Sequence, residues 1–370
     1  MRVLHIQKVK GIGGAERHLL QLLPALTARG LQVRMCVLGS QEYRRFVGPM
    51  NASGVETRVL HVDALQPHRL MWDLYGEIRR YRPHLVHTHL IHADMYGQVA
   101  ARAVRVPAIS SMHNTHAFYR RQPYLTAARA SGHMARRVIA ISSHVARFVT
   151  SLHLTRPNAV RIIPYGIDGG AWSLDQRDRG ATRLALGATD EAVMVGIASR
   201  LIPGKGHSVL LEAIRIAVGE APDIRLVVAG EGPLRSDLES QARMLPTGSV
   251  RFLGFVDDVP SFFHACDIVV FPTLPELSEG FGLAALEAMA AARPVIATDT
   301  GPLPELVGNG GAGVIVHAGS ADGLAAALVR LARDGELRAR LGECGRARAN
   351  AEYSLDGMVD RTLAVYGELI

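Results

Sequence analysis

The sequence predicts an α/β protein built from two Rossmann-like, doubly wound domains. The 370 residues are enough for two domains at roughly 100–200 residues each. Short apolar strands alternate with helices along the whole chain, which is typical of parallel sheets. A stretch rich in proline and glycine, Ile162–Gly170, separates two such series. We therefore place the first domain at residues 1–168 and the second at 169–354.

The first domain begins with an apolar strand at Val3–Gln7. A glycine turn and an amphipathic helix with five leucines follow, and Gly30 ends that helix. The alternation then continues with predicted strands at Val33–Leu38, Glu56–Leu60, Leu85–His87, Ala108–Ser111 and Val138–Ile141, and with helices near Glu42–Asn51, Leu70–Arg80 and Asp94–Val104 and from Ser142 or Ser143 onward.

The second domain follows a charged stretch, Asp175–Arg183, which we interpret as part of an interdomain linker. Its predicted strands are Val193–Ala198, Ile224–Ala229, Val250–Leu253, Ile268–Phe271, Val295–Ala297 and Gly313–Val316, and its clearest helices are Ala321–Arg333 and Leu337–Asn350. The terminal segment, residues 355–370, is amphipathic and is expected to pack back on the first domain.

Composition narrows the possible partners and compartments. The formal charge is +7, with 41 Lys and Arg against 34 Asp and Glu, but no arginine-rich run interleaved with aromatic residues suggests nucleic-acid binding. Three scattered cysteines form no CxxC pair, which favours a reducing compartment. The N-terminus has too few apolar residues for a signal peptide, and no apolar run reaches the roughly 18 residues of a membrane span. We expect a cytoplasmic protein, either free or peripheral on the inner face of the membrane.

The most informative stretch follows the predicted strand Ile268–Phe271. Gly280 and Gly282 stand where the next helix starts, and a missing Cβ there lets a ligand approach the backbone. The free N–H groups and the positive end of that helix suit an anion. Glu279 precedes the glycines and Glu287 follows about two turns later. The pattern indicates a phosphate-and-sugar site; the alternative is an ordinary strand-to-helix turn with no ligand.

Two cations follow the first strand of the second domain. Arg200 and Lys205, separated by a Pro-Gly turn, can converge on a diphosphate and offset the charge of a departing nucleoside diphosphate. The other interpretation is a solvated surface loop. The segment is not a P-loop, because Gly206 replaces the Ser or Thr.

A second glycine loop follows the first strand of the chain. Gly13 and Gly14 make either a tight strand-to-helix turn or a surface that a sugar or phosphate can approach closely. In the GxGxxG fingerprint of dinucleotide-binding proteins, Glu16 would occupy the position of the third glycine, which argues against NAD binding. The stretch Gly280–Ala285 also fits a degenerate fingerprint, but not directly after a strand. We expect no cofactor.

Histidines crowd the end of the strand at Leu85–His87. His84, His87, His89 and His92 are dense enough to suggest zinc, but no cysteine or HExxH pattern accompanies them, and we expect no metal site. His113 follows the next strand and is better placed as a polar contact to a ligand. No pair of aspartates forms a DxD motif. A basic region that includes Arg120, Arg121, Arg129, Arg136 and Arg137 is interpreted as a solvated face, with an anionic acceptor or a membrane as the alternative.

Together these residues resemble a known family. Glu279-Gly280-Phe281-Gly282-Leu283 with Glu287 is similar to the EX7E element of retaining GT-B glycosyltransferases, specifically family 4. Four further pieces occur in the family's order along the chain: Gly13-Gly14-Ala15-Glu16, Tyr165-Gly166-Ile167-Asp168, Arg200 with Lys205-Gly206, and Gly230-Glu231-Gly232-Pro233. The resemblance implies two facing domains with an interdomain cleft, the first binding the acceptor and the second the donor.

By this resemblance, Arg200 and Lys205 bind the donor diphosphate. The backbone of Phe281, Gly282 and Leu283 would contact phosphate and sugar. The family retains the configuration at the anomeric carbon and works without a metal.

The resemblance also implies roles for four other residues. Glu279 would hold hydroxyls of the transferred sugar, and Glu287 those of the ribose. The backbone around Val256 would meet the base, and His113 would touch the donor sugar. The loop before Glu279 is longer than the family pattern by Leu277 and Ser278, which makes its geometry a point to check.

The expected activity is transfer of a hexose from a nucleoside-diphosphate sugar to a hydroxyl of a glycan, a glycolipid or a small natural product, with UDP-sugars favoured and GDP-sugars next. A UDP-sugar 2-epimerase on the same architecture is the first alternative. An NAD-dependent oxidoreductase and a non-catalytic sugar-nucleotide sensor are the others.

Overall fold

The computed structural model describes residues 1–39, 44–61, 67–172, 179–187, 191–277, 279–308 and 311–370. These residues divide into two compact units. The first unit is Met1–Gly166 with Leu355–Ile370, and the second is Ile167–Ser354. The division falls after Gly166, whereas the sequence analysis places the border after Asp168.

The first unit contains a parallel seven-stranded sheet in the order β3-β2-β1-β4-β5-β6-β7. Its strands are β1 Arg2–Lys8, β2 Gln32–Gly39, β3 Glu56–His61, β4 Leu85–His89, β5 Ala108–Met112, β6 Val138–Ala140 and β7 Val160–Ile162. Its helices up to this point in the chain are α1 Gly14–Ala28, α2 Arg44–Ala52, α3 Pro67–Tyr81, α4 Leu90–Ala103, α5 Tyr124–Met134 and α6 Ser143–Ser151.

Both faces of this sheet are buried, which explains its nearly continuous apolar strands. Successive side chains of a strand point to opposite faces, so Val3 packs in one core and Leu4 and Ile6 pack in another. The leucines of α1 are buried at helical spacing against the first of these cores. The pattern of short strands and amphipathic helices therefore has a direct packing cause.

The second unit contains a parallel six-stranded sheet in the order β10-β9-β8-β11-β12-β13. Its strands are β8 Val193–Ala198, β9 Ile224–Ala229, β10 Val250–Gly254, β11 Ile268–Phe271, β12 Val295–Thr298 and β13 Gly313–Val316. Its helices are α7 Arg179–Ala185, α8 His207–Glu220, α9 Arg235–Ala242, α10 Val259–Ala265, α11 Leu283–Ala290, α12 Leu303–Val307, α13 Ala321–Arg333 and α14 Gly335–Glu352.

The last helix, α15 Leu355–Gly367, belongs to the first unit. The Gly166 N–H donates to the Met358 sulfur at 3.0 Å, and Arg29, directly after α1, pairs with Asp356 at 2.8 Å. Tyr366 is fully buried. Within the described ranges, no helix is both long enough and apolar enough to cross a bilayer.

One sequence interpretation is wrong. Part of the predicted linker, Arg179–Arg183, lies in helix α7. The Arg183 side chain is buried and donates to the Asp267 carboxylate at 2.8 Å and to the Ala192 carbonyl at 2.6 Å. Its charge therefore serves a buried ion pair and not a solvated connection. The rest of the predicted linker, residues 175–178, lies outside the described residues, as do Glu42 of the predicted second helix and Ser278.

The sequence analysis also missed helix α5 and strand β7. It treated residues 119–137 as a basic face only, although the apolar side of α5 is buried through Ala128, Ser131 and Gly132. A short 3₁₀ turn, Ala117–Arg120, precedes this helix.

Candidate active site

The strand order places the candidate residues of the second unit at the switch point of its sheet. The order reverses between β8 and β11, and ligands of open α/β sheets bind outside the carboxyl ends of the strands at such a point. The loop after β8 carries Arg200 and Lys205. The loop after β11 carries Glu279 and the two glycines of the following helix. The topology thus brings together two motifs that lie about 75 residues apart in sequence.

Direct contacts tie these two loops together. The Leu274 N–H donates to the Gly204 carbonyl at 2.8 Å. The Lys205 ammonium donates to a carboxylate oxygen of Glu279 at 2.5 Å, and each of these side chains is about one-fifth exposed. Gly206 has a φ of +73°, and a Cβ there would lie 1.8 Å from the Pro272 carbonyl oxygen. The ion pair is therefore held on a backbone that only glycine permits, yet it remains accessible.

Two helices of the second unit begin beside this ion pair. Gly206 precedes α8 and Gly282 precedes α11, and both glycines have left-handed backbone conformations. Neither helix has an acidic residue in its first turn. The free backbone N–H groups of both helix starts are therefore not occupied by a carboxylate of that turn, and they suit an anion.

Glu287 and Phe281 are buried, which their sequence did not reveal. The Glu287 side chain lies in the second turn of α11 and its residue is only 3% exposed, so it is not an ordinary surface residue of the helix. Phe281 packs its ring edge-to-face on Tyr353, with ring centroids 5.8 Å apart. Leu283, at the first position of α11, is also buried. The side chains on both sides of Gly282 therefore anchor the turn whose backbone is the candidate contact.

The Arg200 side chain does not join the Lys205–Glu279 ion pair. Its residue is exposed, and within the described residues its guanidinium takes part in no hydrogen bond or ion pair. His207, which follows the loop, is buried beside Ser199, with Nε2 and the hydroxyl oxygen 3.1 Å apart. Burial, and secondly the charge of Lys205, lower the pKa of His207 to about 4, so this ring is neutral at physiological pH.

The candidate base contact, Val256, is half-buried and follows strand β10. The loops that lead to it are joined by backbone hydrogen bonds. The Gly230 N–H donates to the Gly254 carbonyl at 2.7 Å, and the Leu201 N–H donates to the Glu231 carbonyl at 2.9 Å. The loops after β10, β9, β8 and β11 thus form one row along the sheet edge, about 14 Å long at three strand spacings.

The glycine loop of the first unit has different geometry. Gly13 has a φ of −117°, and a Cβ on Gly14 would lie 4.0 Å from the Tyr165 ring. Neither position demands glycine on conformational grounds. The Glu16 carboxylate accepts hydrogen bonds from the Gly13 N–H at 2.9 Å and from the Gln7 amide at 2.7 Å. A carboxylate thus already occupies the start of α1, unlike the starts of α8 and α11.

His113 follows β5 and lies in a buried cluster of imidazoles. Its Nε2 lies 3.0 Å from His89 Nδ1, and its Nδ1 lies 2.7 Å from the Tyr165 hydroxyl. Burial lowers its pKa to about 3. The His113 ring is therefore neutral, and both of its nitrogens have hydrogen-bond partners.

The cluster differs in membership from the sequence prediction. His87 and His89 belong to it, whereas His84 and His92 are exposed. Sequence reasoning missed four members: His5, His18, Tyr165 and Tyr366. The signal that could have found the first is the pairing of β1 with β4, which sets His5 opposite His87.

Three of these histidines have the spacing of a metal site. Ring nitrogens of His5, His87 and His89 lie within 4.8 Å of one another. All six of their ring nitrogens, however, have hydrogen-bond partners among side chains of the first unit. A metal ion would have to break several of these bonds, so the geometry fits a hydrogen-bonded cluster better than a metal site.

Comparison with known proteins identifies the family. Residues 12–169 match the model of glycosyltransferase family 4, and residues 178–348 match that of the group 1 glycosyl transferases. A phosphatidyl-myo-inositol mannosyltransferase of Mycobacterium leprae is 29% identical over 96% of this chain and 92% of its own. An uncharacterized glycosyltransferase of Methanocaldococcus jannaschii is 27% identical over 96% and 94%.

A third relative matches over a shorter region. A GDP-mannose-dependent monoacylated α-(1-6)-phosphatidylinositol monomannoside mannosyltransferase of Corynebacterium glutamicum is 34% identical, but the match spans only 54% of each chain, about half of that relative.

Solved structures agree on the fold. Anabaena HepE in complex with UDP-glucose superposes with a TM-score of 0.87 at 22% identity over the full length of both chains. A sucrose-phosphate synthase from Thermosynechococcus elongatus superposes with a TM-score of 0.80 at 21% identity over 100% of this chain and 98% of its own. At these identities the likeness concerns the architecture. With family matches that together cover most of its length, the chain belongs to glycosyltransferase family 4, has the GT-B fold, and is a glycosyltransferase of the hexosyltransferase type.

Proposed function

We propose that this enzyme is a retaining, metal-independent glycosyltransferase that moves a hexose from a nucleoside diphosphate to a hydroxyl of a glycan, a lipid-linked sugar or a small-molecule acceptor. The observation that carries the proposal is the Lys205–Glu279 ion pair at the switch point of the second unit, beside two helix starts without acidic residues. This arrangement offers positive potential for a diphosphate and a carboxylate for sugar hydroxyls at one place.

The ion pair suggests how the donor is engaged. A diphosphate that reaches Lys205 competes with Glu279 for the ammonium group, since both are anions. The Glu279 carboxylate is then released to accept hydrogen bonds from hydroxyls of the transferred sugar. Lys205, the helix starts and the exposed Arg200 would offset the charge that develops on the leaving diphosphate, which is the task a metal performs in other enzymes.

The row of loops in the second unit supports the order of the donor groups. In the proposal the base lies near Val256, the diphosphate near Arg200 and Lys205, and the sugar near Glu279. The backbone of Gly280, Phe281, Gly282 and Leu283 contacts phosphate and sugar, and Glu287 binds the ribose hydroxyls. The row spans about 14 Å, a length that an extended sugar nucleotide can follow.

In the first unit, we assign His113, Gly13 and Gly14 to contacts with the donor. Because both ring nitrogens of His113 already have partners, a sugar hydroxyl has to replace one of them. These partners are His89 and the Tyr165 hydroxyl. Gly13 and Gly14 carry no side chain that would obstruct a ligand, although their backbone conformations would accept a residue with a side chain.

The donor base and the acceptor are open to a direct test. The sequence analysis favours UDP, the Corynebacterium relative is named for GDP-mannose, and several relatives are named for inositol-containing acceptors. A thermal-shift series with UDP, GDP, ADP and dTDP would identify the base, because a ligand bound only by the folded state stabilises it by about 2.7 kcal/mol at 100 times its Kd. The matched control is Lys205→Ala, in which the shift should fall. A chain that responds to none of the four contradicts the proposal.

Activity assays then test the reaction itself. With the identified donor and candidate acceptors, we expect a product with the donor's anomeric configuration, read from the anomeric coupling constant by NMR, and a rate unaffected by EDTA. Inversion, or loss of activity in EDTA that a divalent ion restores, would contradict the retaining or the metal-independent part. Epimer formation from a UDP-sugar without any acceptor would replace the proposal by a 2-epimerase.

Four exposed arginines of the first unit support contact with an anionic acceptor or a membrane surface. Arg120, Arg121, Arg129 and Arg136 lie on or beside helix α5. We expect co-sedimentation with vesicles of phosphatidylcholine and phosphatidylglycerol that weakens as salt rises. Equal binding to vesicles of phosphatidylcholine alone would rule out this electrostatic contact.

A further inference from the structure

A continuous line of hydrogen-bonded side chains runs through the core of the first unit. Its central members, His5, His87 and His89, occupy alternate positions of β1 and β4 on the sheet face that also carries Val3 and Leu85. This is the face against which α1 and α15 pack. The rings of His87 and His89 stack with centroids 4.2 Å apart.

One half of the line leads toward the end of β5. His5 Nδ1 lies 3.0 Å from His89 Nε2, and His89 Nδ1 lies 3.0 Å from His113 Nε2. The Tyr165 hydroxyl lies 2.7 Å from His113 Nδ1. Three imidazoles are thus linked nitrogen to nitrogen.

The other half passes through the last helix of the chain. The Tyr366 hydroxyl of α15 lies 3.3 Å from His5 Nε2 and 2.8 Å from His87 Nδ1. His87 Nε2 lies 2.8 Å from the Ser111 hydroxyl. All eight ring nitrogens of the four histidines therefore lie within the line, and Tyr366 is its only link between His5 and His87 among the described residues.

Burial makes these rings neutral. It lowers the pKa of His5 and of His113 to about 3, and it lowers the pKa of His87 and of His89 well below the ordinary value. A neutral imidazole has one N–H donor and one acceptor nitrogen. Whichever nitrogen of one ring carries the proton therefore decides which nitrogen of its neighbour does.

The atom order leaves only two fully satisfied arrangements. If Tyr165 donates to His113, the proton of every ring sits on Nε2, and Tyr366 accepts from His5 and donates to His87. If the direction is reversed, every ring carries its proton on Nδ1. In a mixed state the direction of the hydrogen bonds changes somewhere along the line, so that two donors or two acceptors face each other at a link between rings, or Tyr366 faces two donors or two acceptors. Each case leaves a buried polar group unsatisfied at a cost of about 1–3 kcal/mol.

We propose that this line is a tautomer relay, in which Tyr366 and Ser111 are positioning residues that determine which ring nitrogen of His113 carries its proton. Through this relay, helix α15 controls whether Nδ1 of His113 offers a donor or an acceptor to a hydroxyl. The relay itself rests on the first unit alone. Its effect on turnover rests on the proposed role of His113.

The first test reads the tautomers directly. In protein with ¹⁵N-labelled histidine rings, two-bond ¹H–¹⁵N correlation spectra at pH 7.5 distinguish Nε2–H from Nδ1–H for each assigned ring. We expect the same tautomer in His5, His87, His89 and His113, of either kind. A mixture of tautomers among the four, or a protonated ring, would overturn the relay.

The second test breaks one link. Tyr366→Phe removes the hydroxyl and keeps the ring, and Tyr119→Phe is the matched control because Tyr119 is also fully buried in the first unit but lies outside the line. We expect the ring ¹⁵N shifts of His113 to change in the first variant only, although two imidazoles separate it from the lost hydroxyl. A response confined to His5 and His87 would refute transmission. Ser111→Ala, at the far end, is the second variant if Tyr366→Phe unfolds, with the same expected response at His113.

Two further measurements distinguish the relay from a metal site and from the proposed role of His113 in the reaction. Elemental analysis of the purified protein should find no stoichiometric metal; zinc that is bound one-to-one and lost in His89→Gln would make the cluster a metal site and overturn the relay. With the transferase assay, Tyr366→Phe should lower kcat roughly threefold to tenfold with little change in donor KM. An unchanged kcat with altered tautomers would leave the relay intact and remove His113 from the proposed reaction.

Discussion

The two units share a strand order but line their switch points with opposite chemistry. In both units the strand order reverses next to the first strand. The reversal lies between β1 and β4 in the first unit and between β8 and β11 in the second. The second unit places an ion pair, two left-handed glycines and two helix starts there. The first unit places neutral imidazoles and tyrosine hydroxyls there, and thirteen of the sixteen histidines of the chain lie in this unit. One architecture thus supports a charged site in one unit and a buried neutral network in the other.

The largest expected difference between the units is their response to acid. Five buried histidines of the first unit, His5, His18, His87, His89 and His113, have lowered pKa values. Their folded forms bind fewer protons than the unfolded chain, so their contribution to stability is full above about pH 6.5 and falls as the pH drops toward the folded values, about 3 for His5 and His113.

One buried acid opposes this trend. Burial raises the pKa of Asp94 to about 7, so protonation of this carboxyl favours the folded state as the pH falls through that value. The net loss of unfolding free energy from these groups of the first unit has a ceiling of about 5 kcal/mol per pH unit below pH 6.5.

The second unit has two buried histidines, His207 and His264. Hydrogen exchange at pH 7.5 and pH 5.5, resolved by peptide, should show the first unit opening first. Equal loss in both units, or earlier loss in the second, would contradict the comparison.

The next largest effect concerns the ion pair. Lys205→Ala and Glu279→Ala should each lower turnover at least tenfold, and up to about 10²–10³-fold, because in the proposed mechanism each removes a group that acts on developing charge or on the sugar. Lys10→Ala is the matched control, since Lys10 is exposed and follows β1, as Lys205 follows β8. Circular dichroism checks the fold. Near-normal activity in both variants would remove the assigned site.

A pair of glycine variants sharpens the comparison further. Gly206→Ala should destabilise the fold by more than about 2 kcal/mol, because its Cβ meets a carbonyl oxygen and its φ is positive. Gly14→Ala should leave the melting temperature nearly unchanged, since its Cβ has room and its position is helical. If Gly14→Ala nevertheless raises the donor KM, the open space at this loop is used by the ligand. Two equal stability losses would mean that the two loops do not differ as described.

The smallest effect is expected at Glu287, the proposed ribose contact. Glu287→Gln keeps the size of the buried side chain and removes its charge, so it should raise the donor KM roughly threefold to tenfold with a smaller change in kcat. Steady-state kinetics with varied donor measures both constants. An unchanged KM would count against the ribose role, and Glu212→Gln, an exposed residue of α8, serves as the control.

The sequence was a good guide wherever the controlling interactions are local. Strand and helix periodicity predicted most elements, because burial on both sheet faces imposes that periodicity. Gly280 and Gly282 were singled out from the sequence as residues without a Cβ at the start of a helix, and the structure places Gly282 directly before α11 with a left-handed backbone. Arg183 was misinterpreted because its partner Asp267 lies more than eighty residues away.

The histidine line shows the same limit in the site. His87, His89 and His113 were conspicuous in the sequence, but a strand pairing brings His5 to them and the last helix supplies Tyr366. No local pattern connects positions 87 and 366. Cross-strand register and the return of a distant helix are tertiary facts, and they decide whether a group of histidines binds a metal or completes its own hydrogen bonds.

Helix α15 has a consequence for how the chain is made. Met1–Gly166 leaves the ribosome before the second unit, yet the first unit also needs Leu355–Ile370, which emerge after the 188 residues of the second unit. At about 5–20 residues per second, the sheet of the first unit waits on the order of 10 to 40 seconds for the helix that covers one of its faces. During that interval its imidazoles lack Tyr366, so the nascent first part is expected to depend on chaperones until α15 has emerged.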